Sequence, residues 1–111
     1  MIEITILNYL KSNGFDVYME RPTNPTAPYV LLEKTGSSRT NFITTSTFAV
    51  QSCADSMAAA ARLNKQVKLI MDEADTLTGV SASKLISDYN FTNMATKQYR
   101  YQAEYEVTHK E

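Results

Sequence analysis

The chain has one cysteine, one histidine and no tryptophan. A lone cysteine excludes an internal disulfide and a cysteine-rich zinc site. A lone histidine, His109, leaves no second imidazole to share a metal or relay a proton. The three glycines stand far apart, so the chain has no phosphate-cradling loop and no dinucleotide fingerprint. The net charge of −1 supplies no global pull toward nucleic acid or membrane. No apolar run approaches the roughly 20 residues that span a bilayer. The opening MIEITILNYLKSNG has neither the basic start nor the unbroken apolar centre of a signal peptide. These absences predict a soluble, non-enzymatic protein made in a cytoplasm, with no cofactor, no metal, no membrane contact and no sequence-specific nucleic-acid partner.

What is present suits a single domain over residues 1–111. The hydrophobic share of 43% and charged share of 21% are ordinary for a globular chain able to bury a core without staples. The clearest signal runs from Gln98 to Thr108. Tyr99, Tyr101, Ala103, Tyr105 and Val107 alternate with Gln98, Arg100, Gln102, Glu104, Glu106 and Thr108. Period-two alternation marks a strand with one buried and one wet face. At roughly 3.3 Å per residue it spans about 36 Å, more than the roughly 30 Å of a small domain, so one end is expected to overhang the core.

The remaining elements follow from spacing and punctuation. Ile2, Ile6, Tyr9 and Leu10 recur at helical intervals up to Asn13-Gly14, a stop signal. Phe15 to Met19 reads as a short extended segment. Residues 21–28 hold all three prolines and read as a loop. Tyr29 to Thr35 reads as a strand, with Gly36-Ser37-Ser38 as a turn. Asn41 to Ser52 reads as a strand whose Thr-Thr-Ser-Thr centre offers little to bury. Asp55 is the expected cap of a second helix running to about Ala74, striped by Ala60, Leu63, Val67, Ile70, Met71 and Ala74. Val80 to Phe91 reads as a strand with Leu85, Tyr89 and Phe91 on one face. The order predicts an α+β fold, an antiparallel sheet of four to five strands with two helices packed on one face.

No set of side chains reads as a catalytic centre. His109 has no evident orienting partner and reads as solvated. Cys53 reads as a small buried hydrophobe. Asp72, Glu73 and Asp75 lack the spacing of a calcium loop. Arg62, Lys65 and Lys68 form a ridge that reads as a solvated face rather than a phosphate site. Asn90-Phe91-Thr92 matches a glycosylation triplet by accident, given the absent signal peptide. The tyrosines of the last strand could stack on bases, but their companions Ala103 and Val107 suit a core face better.

The run PYVLLEKTGSSRTNFITTSTFAVQSCADSMAAAARLNKQVKLIMDEA, followed by SDYNF and KQYRYQAEYEVTH, resembles the small head-tail joining proteins of long-tailed bacteriophages. Within that group it is most similar to the tail terminator, or tail completion, proteins. The likeness covers most of the chain from Pro28 to His109. It resides in layout: an N-terminal helix, a Pro-rich loop, a strand feeding FAVQSCAD into a helix, and a Tyr-alternating final strand. The resemblance implies a structural virion protein at the head-proximal end of the tail, of phage or prophage origin. It implies a homo-oligomeric ring, usually a hexamer, that caps the tail tube protein and docks it to a head-side connector protein, with DNA passing through. The family brings no catalytic residues. Another connector component such as an adaptor or stopper, a minor tail protein, and a host binding module are the competing readings.

A ring needs a contact surface. Thr44, Thr45 and Thr47 prolong a strand without supplying core, and natural proteins cover such edges. The loops 21–28 and 36–41 have the polarity to reach neighbours. Arg21, Asn24, Arg39, Asn41, Phe42, Thr44, Thr45 and Thr47 are therefore the expected interface residues.

Overall fold

Helix α1 (Ile2–Ser12) stops where a residue without a Cβ permits it. Gly14 adopts φ +93°, its N–H reaches the Lys11 carbonyl at 3.0 Å, and the Phe15 N–H reaches that of Leu10 at 3.3 Å. This paired closure satisfies carbonyls that a helix end otherwise orphans, and Phe15 folds back onto the core beside Leu10. A computed structural model describes residues 1–23 and 26–110. After α1 come β1 (Val17–Tyr18), β2 (Tyr29–Thr40), β3 (Ile43–Ala54), α2 (Met57–Met71), a 3-10 turn (Ala74–Thr76), β4 (Val80–Asn90) and β5 (Tyr99–Lys110).

The fold is α+β, with one five-stranded sheet in the order β1-β2-β3-β5-β4. The sheet is mixed, which corrects the expected all-antiparallel pairing. β1 runs parallel to β2, with Val17 and Tyr18 paired to Val30 and Leu31. All other pairings are antiparallel. Ile6 and Leu10 of α1 and Val67 and Met71 of α2 share one core with Val30, Leu32, Phe48, Val50, Ala103, Tyr105 and Val107. Both helices therefore cover the same sheet face. β5 carries its alternation unbroken against β3, so Tyr99 and Tyr101 share the strand face of Tyr105. Tyr105 is buried, and its hydroxyl donates to Asp72 Oδ1 at 2.7 Å at the C-terminal end of α2.

Three local readings change. The helix cap is Ser56, not Asp55: its Oγ accepts from the Ala59 N–H at 3.1 Å. Gly36-Ser37-Ser38 is not a turn. β2 continues through it to Thr40, and the register shift falls between Lys34 and Gly36; a glycine inside a strand often marks such a bulge. A second shift between Leu85 and Ser87 flips the parity of β4. Leu85 pairs with Tyr105 on the helix side, whereas Tyr89 pairs with Gln102 on the opposite face.

The molecule is elongated, 45 × 24 × 24 Å. Its long axis follows from three strands, β2, β3 and β5, each of 12 residues.

Candidate assembly interface

The β2–β3 connection is a two-residue turn, and both residues have left-handed backbone: Asn41 at φ +53° and Phe42 at φ +67°. Such a turn matches the twist of a hairpin. Asparagine tolerates the conformation, but glycine is preferred at the second position, and a bulky residue there is strained. Phe42 is also 80% exposed. The Arg39 guanidinium lies 5.5 Å from the centre of its ring, within cation–π range. Ile43 beside it is exposed as well.

The expected interface residues divide into groups. Arg39, Asn41 and Phe42 gather at the turn and are exposed. Arg21 is exposed at the other end of β2, lining a cleft with Tyr29 and Cys53. Asn24 lies outside the described residues. Thr44, Thr45 and Thr47 do not form a free edge, which corrects the expectation for that strand: β3 is central and pairs with β2 and β5 along its whole length. Thr44 is only 6% exposed. The Thr45 and Thr108 hydroxyls approach to 3.5 Å, and the Thr47 carbonyl accepts from Thr35 Oγ1 at 3.3 Å.

The open edge belongs to β2 instead. β1 covers only Val30 and Leu31. Among the described residues no strand lies on the outer side of Glu33 to Thr40, and every side chain in that stretch is exposed. The other outer strand, β4, is interrupted by its bulges at Ser81 and Ile86 and carries Lys84, features that discourage pairing. β2 has one bulge, at Thr35, and beyond it the unpaired backbone donors and acceptors of Gly36 to Thr40 are a template for a partner.

The sheet face away from the helices is polar and ordered. Gln51 Nε2 donates to Gln102 Oε1 at 2.9 Å, Gln102 Nε2 to the Tyr89 hydroxyl at 2.7 Å, and that hydroxyl to Glu104 Oε1 at 3.0 Å. This row crosses β3, β5 and β4, and Gln102 is buried within it. The sequence hinted at it only through Gln51 and Gln102, polar residues at the middle of apolar strands.

His109 is 3% exposed, not solvated. Its Nε2 lies 2.8 Å from the Ser46 hydroxyl, 63 positions away in the chain, a partner that local sequence could not reveal. Cys53 is buried, and burial pushes its thiol up, away from the thiolate a nucleophile needs. Lys68 is not part of a free basic ridge, because it pairs with Asp88 of β4, which also accepts from Asn64. Among the described residues no group of three or more His, Cys, Asp or Glu could hold a metal ion, and no helix is long and apolar enough to cross a membrane.

A groove of about 510 Å³ opens between the end of α1, the start of β2 and one flank of α2. Phe15, Tyr29, Leu63, Leu69 and Ile70 supply its apolar wall and Asp16 a charge at its rim. Leu69 is 59% exposed. It lies off the core stripe of α2, which was the sequence signal for this groove.

No protein-family model matches the chain, and no curated protein matches it.

Proposed function

We propose that the chain is a structural component of a long-tailed phage virion, whose copies join into a ring that caps the tail tube and meets the head-side connector. The observation that carries this reading is the open β2 edge from Glu33 to Thr40, ending in an exposed aromatic turn. Past its bulge at Thr35, the stretch Gly36 to Thr40 is an edge with unmet backbone groups, which calls for a neighbour. Set against a different surface of the next copy, this edge makes the heterologous contact from which closed rings are built. The resemblance of residues 28–109 to tail terminator proteins supplies the tail role. The burial of His109 against Ser46 and the raised thiol of Cys53 fit a part without chemistry of its own.

Deleting the gene from the genome that carries it tests the role. The expected lysate holds filled heads and separate tails, with tubes longer than normal because nothing caps them. Normal-length tails joined to heads would overturn it.

A further inference from the structure

We infer that the hairpin turn of one copy docks into the α1–α2 groove of the next, with Phe42 as the inserted side chain. Two unexplained features meet in this contact. Phe42 occupies a backbone conformation that favours glycine, and it is exposed to water. Both conditions oppose an aromatic residue there, and backbone strain of this kind concentrates at binding sites. The groove is the complementary anomaly: Leu69 is exposed on α2, and Leu63 and Ile70, partly buried against the core, leave the rest of their apolar surface open beside it.

Charge and distance select the occupant. Arg39 sits at the turn against the Phe42 ring, and Lys110 lies opposite Ile43. The groove rim carries Asp16. A basic, aromatic tip thus meets an apolar slot whose one charged lining residue is a carboxylate. Turn and groove stand at opposite ends of β2, about 40 Å apart along the strand. A chain cannot fill its own groove, so the occupant is a second copy. Passed from each copy to the next rather than exchanged within a pair, tip-to-groove contact is heterologous, and it builds a ring where the rotation closes. The contact deepens the ring reading above, but it concerns only how copies meet.

The test uses the full chain with Cys53→Ser, so that each introduced thiol is the only one. Thr40→Cys beside the turn and Gln66→Cys on the groove wall leave Phe42 and the apolar lining in place. The two proteins are mixed in equal amounts at high concentration and oxidised with diamide, and the products are separated by mass. The expected result is a mixed disulfide well above the half of all dimers that random pairing gives, because the two thiols are held near bonding range only in the docked pair. Ala58→Cys, on an exposed part of the same helix but outside the groove, replaces Gln66→Cys as the control and gives only the random share. In parallel, Phe42→Gly keeps its fold by circular dichroism, since glycine suits the turn. It weakens self-association in sedimentation about tenfold or more, the loss expected of one buried aromatic anchor. A mixed product no greater than the control, or unchanged association of Phe42→Gly, overturns the contact. Specific cross-linking in a protein whose deletion leaves tails normal removes the tail role and leaves this contact standing.

Discussion

The two halves of β2 share one strand and one partner, yet they live in different surroundings. Tyr29 to Leu32 is flanked by β1 and lies under the helices, with Tyr29, Val30 and Leu32 buried. Glu33 to Thr40 keeps the pairing to β3 but has no outer neighbour and no buried side chain. The bulge between Lys34 and Gly36 falls close to the boundary. Side-chain burial is concentrated in the first half, and the second half is held by its ladder to β3. A segment that contributes little to the core is free to carry recognition, and loops and edges commonly do so.

Truncation is the strongest way to break this contrast. Leu32→Ala removes a fully buried side chain and is expected to cost about 2–5 kcal/mol of unfolding free energy. Ser38→Ala, six residues on in the exposed half, is expected to stay within about 0.5 kcal/mol of the parent. Urea denaturation of both proteins measures the difference, and comparable losses would erase the distinction between the halves.

A finer test lies across the strand. Ser37 pairs with Ser46, and Arg39 with Thr44, so the exposed half of β2 backs onto buried residues of β3. His109 helps bury them through Ser46. His109→Ala is expected to lose about 1–3 kcal/mol, because a buried hydroxyl is left without that partner, while Phe42 keeps its exposure. A variant as stable as the parent in the same denaturation assay would show that this end of the sheet contributes nothing to the fold.

The third outcome concerns pH. Burial, then the hydrogen bond to Asp72, raises the Tyr105 phenol well above its ordinary value. A folded pKa raised above the unfolded one gives stability that is complete below the unfolded pKa of about 10 and declines as pH climbs beyond it. The slope is about 1.4 kcal/mol per pH unit for one such group. Tyr105→Phe removes that group, so its stability is expected to fall less steeply above pH 10, as thermal melts in alkaline buffer would record. Identical alkaline slopes would place the loss on other tyrosines.

Much of the covered half was legible in the sequence. The Asn13-Gly14 stop, the stripe of α2 and the Tyr105 face of β5 each rest on local periodicity, which tertiary packing preserved. The misreadings share a different cause. Thr35 and Ile86 shift the register without any side-chain signature, so Gly36 looked like a turn and Leu85 appeared to share a face with Tyr89. His109 looked solvated because its partner is distant in the chain. Of the expected interface, the turn residues Arg39, Asn41 and Phe42 are exposed together, whereas Thr44 is internal. The polar Thr-Ser run was misleading because a central strand can bury small hydroxyl side chains that pack well, and polarity alone does not identify an edge.

The glutamine row on the open face has a bearing on folding fidelity. Thr44, Thr45, Ser46 and Thr47 are nearly interchangeable, and a slide of two residues between β3 and β5 would preserve which side chains face inward. Only a feature unique to one level can penalise such a slide. Gln51, Gln102 and Tyr89 bond to one another in a single alignment of three strands. Displacing any strand by two residues would leave a shielded amide unanswered, so this row works as a vernier mark that selects one alignment from several of similar hydrophobic quality.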